Sequence, residues 1–258
     1  MTEKFDRICR LESGCLWHGL IREQTTGITA VCRQLDDPDT LLFHDSPKIK
    51  AGAVGEFFIK RYNLPGGWVQ FRRFFKTARP YTVLKGAAHL EKLGIPTPEV
   101  KAAMTVWKGL IRREYLVTAL LTDQDHLMNN FARENPPEKT WEVLSEKFLP
   151  MLAKLHDSGA LHGDLNLRNL YLAGNGKAGL IDLDGMKIGK APLTLENRAH
   201  ETARLVSGFL ILYRKLEKWQ SHTIAALKSY AAATGNVPDE SSTLAVTEKF
   251  IQRAEKYL

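Results

Sequence analysis

The stretch LHGDLNLRNLYL, residues 161–172, places three polar side chains in an otherwise apolar segment. His162, Asp164 and Asn169 fit the spacing H-x-D-L-x-x-x-N, which is that of a kinase catalytic loop. An Asp–Asn pair can also cap a turn, and a lone H-x-D pair is a weak indication of function. The rest of the chain must therefore decide between the two interpretations.

Two further residues appear in the order that a kinase requires. Asp182 lies thirteen residues after Asn169, in the segment AGLIDLDG (178–185), which we expect to be a buried strand ending in an acid. Upstream, Lys60 ends the strand-like segment FFIK, as in the kinase pattern V-A-I-K. Lysine, aspartate, asparagine and aspartate in this order and spacing favour a phosphoryl-transfer site.

The residue types suit that chemistry, because phosphoryl transfer depends on positioning and on charge neutralisation. Lys60 is predicted to hold the α- and β-phosphates of ATP, and the oxygens of Asn169 and Asp182 are suitable ligands for Mg²⁺. Asp164 is predicted to orient the acceptor hydroxyl and to receive its proton. His162 is expected to brace the loop.

Composition limits the remaining possibilities. The chain has 258 residues, is 44% hydrophobic and carries a formal net charge of +7, which is compatible with an anionic partner. The three cysteines, Cys9, Cys15 and Cys32, have no metal-site spacing and favour a reducing cytoplasm. We expect neither a signal peptide nor a transmembrane span, since no apolar run approaches 18 residues.

Hydrophobic patterning predicts an α+β fold of two lobes. Residues 1–120 are expected to form a β-rich N-lobe, which includes extended segments at 28–35 and 40–45 and a helix over 81–93. Residues 121–258 are expected to form a helical C-lobe that starts with a helix over 136–159. HTIAALKSYAAA, residues 222–233, is predicted to be an ordinary helix of this lobe.

Over about residues 55–190 the chain resembles the bacterial lipopolysaccharide core kinases, which phosphorylate Kdo (3-deoxy-manno-octulosonic acid) or heptose. The resemblance rests on LAKLHDSGALHGDLNLRNLYL, AGLIDLDG and LEKLGIPTPEV. Asn166 stands where protein kinases usually carry lysine, and no A-P-E-like motif follows, so the protein kinases fit less well. The resemblance implies a protein-kinase-like fold, use of ATP and Mg²⁺, and a glycolipid acceptor at the cytoplasmic face of the inner membrane.

Two features depart from the kinase pattern. The glutamate that pairs with the strand lysine is expected near Val83, but the only acid in that helix is Glu91, near its C-terminal end. No G-x-G-x-x-G precedes Lys60, and FHDSPKIK (43–50) is the best candidate for the loop that covers the phosphates, with Ser46 as a possible phosphate contact.

The segment GGWVQFRRFFKTAR, residues 66–79, alternates basic and aromatic side chains. We expect an amphipathic helix packed on the N-lobe, a surface that meets anionic lipid headgroups or the phosphates of a lipid-A-linked core, or both roles for different residues of one helix. We predict no nucleic-acid partner, because the basic residues are spread and no nucleic-acid motif is present. Arg198 and Arg204 are candidates for contacts to the acceptor sugar, whereas His156 is expected to be a packed core residue.

Two alternatives remain open at this point. One is a kinase of a soluble small molecule, of the aminoglycoside or choline type, which shares the H-x-D-x-x-x-x-N spacing. The other is a nucleotide-binding pseudokinase, which the missing helix glutamate suggests.

Overall fold

The computed structural model describes residues 5–22, 27–63, 77–109 and 111–255. The chain divides into two compact units. The first comprises Met1–Ala88 and Pro98–Leu121, and the second comprises His89–Thr97 and Thr122–Leu258.

The first unit is built on an antiparallel sheet. Its described strands are β1 (Phe5–Glu12), β2 (Cys15–Arg22), β3 (Leu41–Asp45), β4 (Ile49–Val54), β5 (Phe57–Asn63), β6 (Val100–Lys108) and β7 (Ile111–Ala119). They pair in the order β1-β2-β6-β7-β5-β4-β3. Ser13 and Gly14 connect β1 to β2 with φ values of 51° and 71°, which is the left-handed conformation that two-residue hairpin turns require.

A short helix, α1 (Ile28–Gln34), packs on one face of this sheet. Ile28, Cys32 and Leu35 are buried against a cluster of strand residues that includes Trp17 and Ile59. The prediction of an extended segment over 28–35 is wrong. Its β-branched residues suggested a strand, but the buried positions i, i+4 and i+7 have the helical period.

The next described helix, α2 (Arg79–Lys92), agrees with the helix predicted over 81–93, and its residues up to Ala88 belong to the first unit. Glu114 on β7 anchors its beginning, because the buried Glu114 carboxylate accepts the Arg79 backbone N–H at 2.9 Å. The same carboxylate pairs with Arg112 at 2.8 Å. The Arg79 guanidinium lies over the Tyr62 ring, 5.4 Å from its centroid.

The second unit is mainly helical. Its helices are α3 (Met128–Glu134), α4 (Pro137–Val143), α5 (Leu149–Asp157), α6 (Leu195–Tyr213), α7 (Trp219–Ala231) and α8 (Glu240–Glu255). A π-helical turn, Leu144–Phe148, joins α4 to α5, so the helix predicted over 136–159 is present in three segments. The helices predicted after residue 195 and over 222–233 are confirmed.

Short strands frame the predicted catalytic loop. They are β8 (His126–Leu127), β9 (Ala160–Leu161), β10 (Leu170–Leu172), β11 (Ala178–Leu180) and β12 (Lys187–Ile188). They form a sheet of order β11-β10-β8 and a separate pair β12-β9. The predicted α+β class, with a β-rich first part and a helical second part, is confirmed.

Candidate active site

The β10–β11 ladder brings Asn169 close to Asp182. Leu170 pairs with Leu180 in the antiparallel register. One step beyond, the Ile181 N–H donates to the Asn169 carbonyl at 3.0 Å, so the ladder extends to the residue just before Asp182. Two candidate metal ligands that are thirteen residues apart in the sequence thus lie at the same end of one hairpin.

Asp182 has an unusual backbone conformation. Its φ of 57° and ψ of 59° lie in the left-handed region, which non-glycine residues rarely occupy. It directly precedes a 3₁₀ turn, Leu183–Gly185, so the strand predicted to run into the acid ends at Leu180 instead. Strained conformations of this kind concentrate at functional sites.

Amide side chains hold Asp164 within the loop. Asn169 Nδ2 donates to the Asp164 carbonyl at 2.8 Å, and Asn166 Nδ2 donates to the same oxygen at 2.9 Å. Asn166 Oδ1 also accepts the Arg168 N–H at 3.0 Å and caps the 3₁₀ turn Leu167–Asn169. Asn166 therefore shapes the loop, and its amide is used on the backbone.

His162 stabilises the loop through hydrogen bonds at both of its ring nitrogens. It is fully buried, and its Nε2–H donates to the Ile181 carbonyl at 3.0 Å. Its Nδ1 accepts the Asp164 N–H at 3.3 Å. One imidazole thereby links the segment that precedes Asp182 to the backbone of Asp164.

Gly163 lies in a position that admits no side chain. Its φ is 85°, and a Cβ there would lie 2.4 Å from the Gly185 carbonyl oxygen. The catalytic loop and the turn after Asp182 therefore touch backbone to backbone.

Glu201 on α6 holds the loop from the helical side, and the sequence analysis missed it. Its buried carboxylate accepts the His162 N–H at 3.1 Å and the Gly163 N–H at 2.6 Å. It also accepts from His156 Nε2 at 3.1 Å. An acid on the apolar face of α6 was the available indication, but no spacing rule connects a residue to a loop 38 residues upstream.

The protonation states in this network follow from burial and hydrogen bonding. Burial lowers the pKa of His156 despite the neighbouring Glu201, so its imidazole is neutral, donating to Glu201 and accepting from the Tyr230 hydroxyl at 2.8 Å. Burial alone would raise the pKa of Glu201, but its hydrogen bonds from His156 and Gly163 outweigh burial and hold the pKa below its usual value. His156 is a packed core residue, as predicted.

Arg204, one helical turn after Glu201, reaches the side chain of the loop aspartate. Its Nη2 donates to Asp164 Oδ1. The ion pair is open to solvent, with side-chain exposures of 33% for Arg204 and 50% for Asp164.

Arg198 has a different role from the one predicted. It is fully buried and pairs with Asp157 at 2.7 Å. It also donates to the Tyr230 hydroxyl and to the carbonyl oxygens of Leu193 and Asn236, each at 3.0 Å. The prediction of an acceptor-sugar contact at Arg198 is wrong, because all of its donors are directed into the protein interior.

The donor set at the end of the hairpin fits Mg²⁺. The Asn169 amide nitrogen is fixed on Asp164, which leaves the amide oxygen as its group for a cation. In proteins Mg²⁺ is usually bound by one or two carboxylates together with substrate phosphates. Among the described residues, no group of three or more His, Cys, Asp or Glu side chains is placed to hold a metal ion.

Comparison with known proteins identifies the family. The sequence profile of the lipopolysaccharide kinase (Kdo/WaaP) family matches residues 71–230, well over half of the chain. The chain belongs to this family. Membership agrees with the resemblance and with the protein-kinase-like fold that the motifs predicted.

One relative within reach of sequence comparison is a 3-deoxy-D-manno-octulosonic acid kinase of Vibrio parahaemolyticus. It is 26% identical over 151 residues, which are 58% of this chain and 57% of that protein. The chain thus matches little more than half of the length of this relative.

Solved structures of low sequence identity are also similar. WbdD, a bifunctional kinase-methyltransferase, has a TM-score of 0.47 at 17% identity, over 83% of this chain and 50% of that chain. A divergent kinase lacking the glycine-rich loop, which regulates membrane ultrastructure of the Toxoplasma parasitophorous vacuole, has a TM-score of 0.42 at 16% identity, over 78% of this chain and 72% of that chain.

In this Kdo/WaaP family member, Lys60 belongs to the first unit and the catalytic loop to the second. Lys60 is half-buried on β5, and its Nζ lies 5.5 Å from the centroid of the Tyr62 ring. Glu91 is exposed near the end of α2. Glu114 lies on the same face of the sheet as Lys60, but its carboxylate pairs with Arg112 and accepts the Arg79 N–H at the start of α2.

Ser46 closes the turn between β3 and β4. Its hydroxyl donates to the Ile49 carbonyl at 3.0 Å and accepts the Ile49 N–H at 3.1 Å. His44 Nε2 is a further neighbour at 3.0 Å. The hydroxyl hydrogen is therefore used inside the turn, and donation to a phosphate would replace its hydrogen bond to the Ile49 carbonyl.

Most of the basic-aromatic segment lies outside the described residues. This applies to Trp68, Phe71, Phe74 and Phe75 and to the cations Arg72, Arg73 and Lys76. Among the helices that the structure describes, none is both long and apolar enough to cross a membrane.

Proposed function

We propose that this chain is an ATP- and Mg²⁺-dependent kinase that phosphorylates a hydroxyl of Kdo in the lipopolysaccharide inner core. The observation that carries the proposal is the grouping of Asp164, Asn169 and Asp182 at one loop and hairpin end, in a member of the Kdo/WaaP family. Kdo is preferred to heptose because the Vibrio relative is a Kdo kinase.

In the proposed reaction the acceptor oxygen attacks the γ-phosphorus of ATP. The new O–P bond forms, the bond from the γ-phosphorus to the oxygen of ADP breaks, and the acceptor proton passes to the Asp164 carboxylate. The network of His162, Asn166 and Glu201 supports this role, because it fixes the backbone on both sides of Asp164. Positioning of this kind is what phosphoryl transfer chiefly requires.

The remaining roles concern charge. Lys60 is proposed to hold the α- and β-phosphates, and Asn169 and Asp182 are proposed to hold the metal. Bound Mg²⁺ would neutralise the negative charge on the phosphates. Ser46 stays a proposed phosphate contact, and Glu91 stays a proposed partner of Lys60.

The proposed place of action is the cytoplasmic face of the inner membrane, with the enzyme bound peripherally. The net charge of +7 supports this placement, because an anionic glycolipid attracts a basic protein. No role in nucleic-acid binding is proposed.

The test is transfer from γ-labelled ATP to a panel of acceptors, in the presence and absence of Mg²⁺. We expect label on Kdo-terminated lipid A, and none on soluble aminosugars or choline. Label on a heptose acceptor alone would change the proposed sugar, and label on a soluble acceptor alone would favour the small-molecule kinases. Stabilisation of the protein by Mg-ATP without any transfer would indicate a pseudokinase.

The Asp164→Ala variant is the matched control in the same assay. We expect it to lose most of its turnover while it keeps ATP binding, since Asp164 acts on the acceptor. Undiminished turnover in this variant would refute the assignment of the base.

A further inference from the structure

Among the described residues, the side chain of Asp164 pairs with a cation from α6 and not with one from its own loop. Asn166 lies two positions after Asp164, and its amide donates to the Asp164 carbonyl and accepts the Arg168 N–H. His162 is buried and directed at Ile181, and Arg168 is exposed. Asp164 Oδ1 instead accepts from Arg204.

The placement of Arg204 depends on the same helix face that holds the loop backbone. Glu201 and Arg204 are three residues apart, so they project from the same side of α6. Glu201 fixes the backbone N–H groups of His162 and Gly163, and Arg204 fixes the side chain of the next residue. One turn of helix thus sets both the position of the loop and the orientation of its carboxylate.

We propose that Arg204 is a positioning residue for phosphoryl transfer, which holds Asp164 Oδ1 so that Oδ2 is presented to the acceptor hydroxyl. The inference rests on the proposed function. It makes Arg204 the residue that orients the proposed base, Asp164, whereas the sequence suggested that Arg204 contacts the acceptor sugar.

The two oxygens of the carboxylate are then used differently. Oδ1 is occupied by the guanidinium, and Asn169 Nδ2 lies at 3.4 Å from Oδ2, too far for a strong hydrogen bond. The Asp164 side chain is half exposed, and its second oxygen is the one that the inference assigns to the acceptor. Without Arg204 the carboxylate can rotate about its χ angles, and the reacting oxygen loses its fixed direction.

A purely structural role predicts a different outcome from a positioning role. Exposed ion pairs contribute little to stability. We therefore expect Arg204→Met to leave the melting temperature nearly unchanged and to lower kcat by about a hundredfold, the effect of a small misplacement of a reacting group. KM for ATP and for the acceptor should change little, and Arg204→Lys should recover part of kcat.

The experiment uses the full chain, γ-labelled ATP and the acceptor that the unaltered protein phosphorylates. Arg214→Met is the matched control, because it removes an exposed guanidinium at the C-terminal cap of the same helix and should leave the kinetics unchanged. Arg204→Met is also combined with Asp164→Asn. Once the carboxylate is gone, loss of Arg204 should cost little more.

Three results would overturn the inference: an unchanged kcat, a raised acceptor KM with kcat intact, or effects of the two substitutions that multiply. If Arg204→Met does not fold, or if the Asp164→Asn rate is too low to measure, kcat and KM of Arg204→Lys decide. A lowered kcat at constant KM supports the inference, and any other combination of kcat and KM overturns it. Absence of transfer by the unaltered chain to any acceptor is a failure of the proposed function, which this design separates from a failure at Arg204.

Discussion

Gly163 shows how a single residue connects two parts of the candidate site. Its positive φ and the backbone of Gly185 leave no room for a methyl group, since a Cβ would lie 2.4 Å from the Gly185 oxygen. Any substitution must therefore move either the catalytic loop or the turn that follows Asp182.

We expect Gly163→Ala to lower the free energy of unfolding by at least about 2 kcal/mol, from the left-handed backbone and the contact together. Transfer should fall as well, because Asp164 moves with the loop. Gly208→Ala is the control: a methyl group on that helical residue meets open space and should stabilise the protein by up to about 1 kcal/mol. Chemical denaturation measures both, and equal stabilities of the two variants would contradict the account.

The backbone conformation of Asp182 and its charge can be tested separately with two substitutions. Asparagine tolerates the left-handed region nearly as well as aspartate, whereas alanine does not. Asp182→Asn should keep the melting temperature and lower Mg²⁺-dependent transfer by roughly a hundredfold or more. Asp182→Ala should show the same loss of transfer together with a loss of stability of about 1 kcal/mol. Full transfer by the Asn variant at unchanged Mg²⁺ would exclude Asp182 as a metal ligand.

At the scale of single residues, the sequence was sufficient where the chemistry lies in a short spacing. His162, Asp164, Asn169 and Asp182 could be proposed as candidates from their spacing, and one loop and one hairpin carry them in the structure. Arg198 and Arg204 could not be told apart, because they differ only in which face of α6 they occupy, one fully buried and one at the surface.

At the scale of elements, α6 is the support of the catalytic loop. Its Glu201 accepts two successive backbone N–H groups of the loop, at 3.1 and 2.6 Å. Hydrogen bonds donated to a charged group of this kind contribute about 1.5–3 kcal/mol.

Glu201→Gln should therefore destabilise the protein by about 2 kcal/mol and reduce transfer. The amide NH2 replaces one carboxylate oxygen and presents a donor, where an acceptor is needed, to the loop N–H groups. Glu196→Gln on the first turn of α6 is the control. Glu196 is exposed, and its loss should cost less than about 1 kcal/mol through the helix dipole. Comparable melting temperatures for the two variants would show that Glu201 does not anchor the loop.

The contact between α5 and α6 predicts a dependence of stability on pH. The buried His156 has a lowered pKa, and Glu201, Arg198, Asp157 and Tyr230 surround it. The unfolded chain then binds a proton near the ordinary histidine pKa of about 6.5 while the folded chain does not, so stability falls as pH drops below that value. Glu201, whose pKa is also lowered, adds a loss in the same direction at lower pH.

We expect the melting temperature to fall between about pH 7.5 and 5.5 and the slope to become shallower in His156→Gln. His89 has a pKa lowered by burial and by Lys92, so it contributes in the same direction. The comparison is therefore made in a His89→Gln background, by thermal unfolding across the pH range. An identical slope with and without His156 would contradict a neutral buried imidazole.

Element assignment from sequence failed where propensity and packing disagree. The β-branched residues of segment 28–35 suggested a strand, but burial of Ile28, Cys32 and Leu35 against the sheet selects a helix. The helices predicted after residue 195 and over 222–233 were found because these segments are long enough to show a helical apolar period.

At the scale of the whole molecule, two compact units share the proposed functions. The first carries Lys60 and the Ser46 turn, and the second carries the loop, the candidate metal ligands and the supporting helix. The fold class was predictable, whereas the contacts of Glu201 and Arg204 with the loop were not, because long-range contacts between a helix face and a loop leave no pattern in the sequence.

The most direct test of a Kdo kinase is mass spectrometry of the lipopolysaccharide core from cells that lack this protein. We expect the loss of one phosphate from the Kdo region, restored by the unaltered gene and not by the Asp164→Ala form. A core that keeps all of its phosphate without the protein would show that this chain does not phosphorylate Kdo in the cell.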